Sequence, residues 1–299
     1  MESPYPKLID PSKTRIGWIG IGIMGSAMVS HILAAGYSVT VYARDLRKSK
    51  DLQTKGARVA NSPKELAEIS DVVFTIVGNS NDVRSLLLGE DGVLAGLKPG
   101  GVTVDMTSSK PGLAREIHAD ARRRNCWAVD APVSGGDAGA REGKLTIFAG
   151  GELEIVEWLS PVMKNMGIMR YMGEAGSGQS CKIGNQICVG SNMVGLAEGI
   201  VFAEKAGLDP VKWLDAVKDG AAGSAVMRLF GGMMTERDYK ATGFAEYMVK
   251  DLGMAAEAAT AMPGTALNKQ LFSGMVANGD GKLGFQGVVS VIRRLNGIP

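Results

Sequence analysis

Three observations predict an α/β protein built from a doubly wound parallel sheet, a long helix and an all-helical C-terminal domain. A glycine-rich turn of the form G-x-G-x-x-G lies between a strand-like run and a helical run near the chain start. Short β-branched runs then alternate with helical patterns over the first half, as a parallel sheet with crossover helices requires. From about Gly176 onward strand patterns cease and helical ones take over.

The turn reads RIGWIGIGIMGSAM over Arg15 to Met28. Ile16, Trp18 and Ile19 give the buried strand, and the helical run is clear from Ser26. Gly20 allows the tight turn, Gly22 lets the backbone approach a pyrophosphate, and Gly25 lets helix and strand pack closely. The helix N-terminus offers unpaired N–H groups to phosphate. The loop Gly20, Ile21, Gly22, Ile23, Met24 and Gly25 is therefore the candidate dinucleotide contact of a Rossmann-type domain; a purely structural glycine turn is the other reading.

Tyr37 to Ala43 (YSVTVYA) is the second strand, and its end bears on the cofactor. An acid about twenty residues beyond the glycine loop normally accepts the adenosine ribose hydroxyls. Ala43 occupies that position and Arg44 follows, a pair suited to a ribose 2′-phosphate, so NADP is favoured. Asp45, one residue later, keeps NAD open. Gly56 to Val59 reads as a short strand, and Ser62-Pro63 opens a helix running towards Ser70. Asp71 to Val77, Gly101 to Asp105 and Asn125 to Ala131 are the remaining strands, with a helical pattern from Pro111 to Arg124.

Ligands in such sheets bind beyond the strand carboxyl ends. That makes Val77, Gly78 and Asn79, then Thr107 and Ser108, candidates for the cofactor crevice; for Asn79 and Thr107 ordinary turn chemistry is the alternative. Ser134, Gly135 and Gly136 offer a hydroxyl and bare N–H groups to a carboxylate, or form only a turn.

Ser180 to Ala206 runs helically without proline, about 40 Å of helix. Gly184, Gly190, Gly195 and Gly199 recur in it and permit close neighbours. Asp209-Pro210 opens the next helix, and loops are expected around Gly220 to Ser224 and Asn278 to Gly284. The predicted organisation is a dinucleotide-binding domain over 14–176, a connecting helix over 177–206 and a helical domain over 207–299.

Composition narrows the partners. The net charge is +2, from 33 basic and 31 acidic residues among 299, so nothing points to nucleic acid or to a membrane surface. No apolar run is expected to reach the length of a membrane span. Cys126, Cys181 and Cys188 form no C-x-x-C pair, which argues against a disulfide framework or thiolate zinc and for a reducing compartment. His31 and His118 are too few for a metal centre and are expected to be structural; no metal is expected. The N-terminal MESPYPKLIDPSKTR resembles neither a secretory signal nor an Arg-rich transit peptide, giving a cytoplasmic expectation.

A nicotinamide enzyme acting on an alcohol needs a proton donor and acceptor beside the hydroxyl. Lys182, near the start of the long helix, is the candidate general acid and base. Asn185 and Gln186 share its face at i+3 and i+4. A snorkelling surface lysine is the alternative. Lys250-Asp251 is a polar pair in an otherwise apolar helix, by itself as compatible with a surface feature as with a site.

Five blocks carry a resemblance: WIGIGIMGSAM, DMTSSKP, DAPVSGGDAGAREGKL, GSGQSCKIGNQ and MVKDLGMA. In this order and spacing, the chain from about Thr14 resembles the β-hydroxyacid dehydrogenase family, in its 3-hydroxyisobutyrate dehydrogenase and glyoxylate/succinic semialdehyde reductase branch. The resemblance implies hydride transfer between NAD(P) and a small carboxylate substrate, a β-hydroxyacid or semialdehyde. It implies Lys182 as catalytic lysine, Ser134, Gly135 and Gly136 on the substrate carboxylate, Lys250 by the cofactor and Asp251 in the active-site wall. It also implies a homodimer or homotetramer and allows a mitochondrial address.

Two departures stand out. Thr107-Ser108 reverses the family's usual Ser-Thr order, with Ser108 at the cofactor position, and Gln186 replaces the usual asparagine. Gln186 motivates a reading from another class, a non-catalytic dinucleotide-binding or scaffold protein.

Overall fold

The structure, a computed structural model, describes residues 7–258 and 261–298. The first six residues of the stretch from which the address was read lie outside the described residues, as does Pro299. The chain divides into two compact units after Lys182, inside the long helix.

In the first unit, strands β1 (Arg15–Ile19), β2 (Ser38–Tyr42), β3 (Arg58–Val59), β4 (Val72–Thr75), β5 (Val102–Asp105) and β6 (Trp127–Asp130) form a parallel sheet in the order β3-β2-β1-β4-β5-β6. The order reverses at β1, as in a doubly wound sheet, and the predicted fold class is the observed one. In-register pairs such as Ile16↔Val39 and Ile16↔Val72 make β1 the centre. β1, β4, β5 and β6 are buried on both faces. Val72 and Phe74 enter one core with Trp18 and Val104, while Val73 enters the other with Leu66 and Leu87. Burial on both faces is why these strands read as continuous apolar runs. Trp18 and Phe74 stack at 5.2 Å between centroids.

Three strands absent from the sequence reading extend the sheet: β7 (Val133–Ser134), β8 (Leu145–Gly150) and β9 (Gly167–Gly173). β8 runs antiparallel to β6 and to β7, and β9 parallel to β8, so the sheet is mixed at this edge. The first helix begins at Ile23, three residues before the clear helical run. Ser62 caps the helix Pro63–Glu68, donated to by the Glu65 amide, and Asp209 caps Pro210–Val217.

The second unit is helical. The long helix, Ser177–Lys205, contributes Met193, Ala197 and Ile200 to its core, with Met248, Leu252, Phe272 and Val288. The expectation that no run reaches the length of a membrane span is corrected here: this helix is long and apolar enough by length and composition. Its apolar character serves core packing within this unit. Gly199 lies where a side chain would press on the Trp213 ring, whereas Gly184 and Gly195 face open space. Arg293, buried, donates to Glu204 and to the Tyr239 hydroxyl, tying the last helix to the long one.

Candidate active site

The glycine loop follows β1. Gly20 adopts φ +96°, a left-handed conformation, and a side chain there would overlap the Ile76 carbonyl oxygen. A side chain on Gly25 would overlap the Gly20 carbonyl, so strand, turn and helix touch through these two glycines. Gly22 differs: nothing lies within 4 Å of where its Cβ would be. The helix Ile23–Ala34 has no side-chain cap. First-turn N–H groups without a side-chain cap, beside an unobstructed glycine, fit a pyrophosphate. Ile21 is buried, Met24 half-buried and Ile23 exposed.

At the end of β2, Ala43 packs on the core and the Arg44 guanidinium is exposed, 3.9 Å from Asp82. The Asp45 carboxylate is engaged elsewhere: it caps a short 3₁₀ turn through the Arg47 amide and accepts from the Arg47 guanidinium at 2.8 and 2.9 Å. That pairing holds its carboxyl below the usual range. Asp45 is thus paired with Arg47, as Arg44 is with Asp82. Arg47 was not singled out from the sequence; its spacing two residues after an acid was the available signal.

The tips of β4, β5 and β6 form a buried polar network. The Thr107 hydroxyl accepts from the Val77 amide at 2.9 Å, and Asn79 caps the helix Ser80–Leu88, accepting from the Asn81 and Asp82 amides. The turn chemistry weighed for both residues is therefore present. Gly78 and Ser108 are half-buried between them. Asp105, at the end of β5, accepts from the Thr107 amide and the Ser109 hydroxyl. Burial pushes the Asp105 carboxyl up to about 6, against the pull of those hydrogen bonds, and Asp130 adds repulsion.

Asp130, at the end of β6, accepts from the Gly176 amide at 2.7 Å and the Gln179 amide at 2.8 Å. Burial raises this carboxyl too, and the backbone donors oppose the rise. It serves as the cap of the long helix, supplied from a strand rather than from the helix's own sequence. Gly178 makes the approach feasible, since a side chain there would overlap the Phe148 and Asp130 carbonyl oxygens. Gly176 adopts φ +92°. Lys182 follows within the same turns and is buried, which removes the surface-lysine reading. The sequence reading quoted the blocks holding Asp105, Asp130 and Gln179 but gave these three residues no role. A carboxylate closing an otherwise apolar strand was the signal for the first two.

After β7, Gly135 (φ +129°) and Gly136 (φ +63°) turn the chain into the helix Gly136–Glu142, with Ser134 half-buried before them. No side chain caps this helix. In the helical unit, the Gln186 amide bridges two partners, accepting from Asn185 at 2.9 Å and donating to Asp251 at 2.7 Å. Asp251 is buried, and the Lys250 ammonium stands 3.3 Å from its other oxygen. The surface-pair reading of Lys250-Asp251 fails for Asp251. His31 and His118 bond to main-chain carbonyls of Ala140, Arg141 and Ala128, as structural histidines do.

The doubly wound strand order and open glycine loop point to a dinucleotide-binding domain, and the comparisons give the class. Residues 15–176 match the family model described as the NAD binding domain of 6-phosphogluconate dehydrogenase. Residues 176–292 match that described as NAD-binding of NADP-dependent 3-hydroxyisobutyrate dehydrogenase. The chain is an NAD(P)-dependent oxidoreductase.

It belongs to the β-hydroxyacid dehydrogenase family. It is 90% identical over 298 residues, 100% of both chains, to the probable 3-hydroxyisobutyrate dehydrogenase-like 2, mitochondrial, of Arabidopsis thaliana. It is 32% identical to the 2-hydroxy-3-oxopropionate reductase of Escherichia coli, covering 93% of this chain and 97% of that one. The solved structure of Mycobacterium tuberculosis 3-hydroxyisobutyrate dehydrogenase with L-serine superimposes with a TM-score of 0.85 at 27% identity, covering 94% and 99%.

Proposed function

We propose that the chain interconverts a small β-hydroxyacid and its semialdehyde, with Lys182 as general acid and base. The nicotinamide of a dinucleotide bound at the glycine loop would supply or accept the hydride at its C4. In reduction, Lys182 Nζ gives a proton to the carbonyl oxygen; in oxidation it takes the proton from the hydroxyl. The observation that carries the reading is a buried Lys182 on a helix start pinned to the strand tips by Asp130 and Gln179.

The other roles are assigned residue by residue. Gly20 to Gly25 hold the pyrophosphate, Ala43 leaves room at the ribose, and Arg44 takes a 2′-phosphate. Val77, Gly78, Asn79, Thr107 and Ser108 line the nicotinamide half, with Lys250 beside the cofactor. Ser134, Gly135 and Gly136 receive the substrate carboxylate. Asn185, Gln186 and Asp251 act as one hydrogen-bonded set, Asp251 forming part of the substrate wall. The added methylene of Gln186, relative to asparagine, is compatible with its reach to Asp251.

NADP is the preferred cofactor in this reading, supported by exposed Arg44 and by the capture of Asp45 by Arg47. 3-Hydroxyisobutyrate oxidation leads, supported by the name of the Arabidopsis relative. NADPH-driven reduction of glyoxylate or succinic semialdehyde is the second reading, favoured by Arg44 and by the Escherichia coli reductase. A homodimer or homotetramer in the mitochondrion completes the proposal. Light scattering giving a monomer, or cell fractionation placing the chain elsewhere, would remove those parts.

The test is turnover of 3-hydroxyisobutyrate, methylmalonate semialdehyde, glyoxylate and succinic semialdehyde with each cofactor, beside Lys182→Ala. Loss of about a hundredfold to ten-thousandfold in kcat is expected in the variant. Bound cofactor with no turnover in either protein would favour a dinucleotide-binding role without chemistry.

A further inference from the structure

Gln179 has no solvent exposure, and its side-chain amide is spent entirely on one backbone segment. Nε2 donates to the Thr107 carbonyl at 2.7 Å, and Oε1 accepts from the Ser109 amide at 2.8 Å. The amide thus pairs with residues 107–109 at two points, much as a neighbouring strand would. Its own backbone N–H goes to Asp130 Oδ2, whose other oxygen takes the Gly176 amide. Four hydrogen bonds therefore fix one helical turn against the ends of two strands.

The segment held is itself tied outward. Thr107 accepts from the Val77 amide and Ser109 donates to Asp105, so the 77 and 107–109 loops are joined to each other and to the end of β5. A helix anchored at a single point can rotate about its axis or slide along it, by about 100° and 1.5 Å per residue of slippage. Lys182 stands three residues after Gln179, roughly 4.5 Å along the axis. Any slippage in the first turn reaches its Nζ undiminished, and proton transfer to a bound oxygen tolerates little misplacement.

We propose that Gln179 is a positioning residue for Lys182, keying the start of the long helix to the backbone of residues 107–109. This rests on the assignment of Lys182 as general acid and base. Gln179→Met conserves length and volume but cannot pair with either backbone group. Gln179→Glu keeps the acceptor for Ser109 and can donate to the Thr107 carbonyl only when protonated.

The experiment is a double-mutant cycle on the full chain, with NADPH and succinic semialdehyde, over Gln179→Met, Lys182→Ala and the pair. Gln179→Met alone is expected to lower kcat ten- to a hundredfold while NADPH affinity, read by fluorescence, stays within twofold. In the Lys182→Ala background it lowers kcat no further. Hydrogen exchange of the segment 176–186, measured without cofactor, rises at least tenfold in Gln179→Met. Should that variant not fold, Gln179→Glu carries the test: its kcat falls as pH rises through the glutamate's titration, where the unmodified protein shows no such fall.

Equal losses in both backgrounds, an unchanged kcat, or a Gln179→Glu profile matching the unmodified protein would each overturn the positioning role. Full turnover by Lys182→Ala alone would instead overturn the assignment of the lysine, so the two failures are distinguishable.

Discussion

The glycine loop and the strand-tip network lie at the same edge of one sheet and are built on opposite principles. The loop leaves its helix start open: Gly22 faces empty space and the first helix has no side-chain cap. In the network Asp105, Asp130, Ser109 and Gln179 bond to one another or to main chain with almost no exposure. A surface meant for a phosphate keeps its donors uncommitted, since the ligand supplies the missing acceptors. A surface that holds a helix start in place commits its donors, because a half-satisfied buried network costs more than an apolar one.

The contrast can be broken most severely inside the loop. Gly20→Ala should destabilise the protein by about 3–5 kcal/mol, combining left-handed strain with displacement of the Ile76 carbonyl. Chemical denaturation measures it, and a loss below about 1 kcal/mol would contradict the geometry.

The next effect belongs to the network and depends on pH. In the folded chain burial pushes Asp105 up to about 6, above the ordinary 3.8 of an aspartate. The folded chain therefore binds more protons than the unfolded chain between those values, and stability must fall as pH rises from about 4 to about 6. The change is at most about 3 kcal/mol at 1.36 kcal/mol per pH unit. Surface carboxylates such as Asp71 are held low and slope the other way. The test is accordingly the difference between the unmodified protein and Asp105→Asn, in which this component should vanish.

Gly22→Ala sharpens the comparison from the other side. It should leave thermal stability unchanged, because nothing occupies the space, yet weaken NADPH binding about tenfold, roughly 1.4 kcal/mol. Equal binding by both proteins would remove the pyrophosphate from this turn.

Arg44→Ala should have the smallest effect. A five- to tenfold weakening of NADPH relative to NADH is expected by fluorescence titration, on the order of 1 kcal/mol for an exposed guanidinium. An unchanged ratio would assign Arg44 another role.

The same contrast explains what could be read before the fold was known. The loop was legible because its glycines answer to local constraints, and β1, β2, β4, β5 and β6 because burial on both faces makes unbroken apolar runs. β8 and β9 carry a weaker signal: β9 alternates only weakly between half-buried and exposed positions, and the crossover between the two strands is broken into two short helices, Leu153–Trp158 and Ser160–Met163. Lys182 could be proposed from its place in a helix and from the resemblance, but its burial could not. Gln179 was in plain view in GSGQ, yet its partners are about seventy residues earlier, and no spacing rule spans that separation.

The Asp130 cap has a kinetic consequence. The carboxylate that satisfies the first amides of the long helix sits 46 to 49 residues upstream, at the end of β6. Such a contact forms only after a loop of that length has closed, whereas the helix can nucleate locally in microseconds. The helix start therefore lacks this cap until β6 and residues 176–179 have come together.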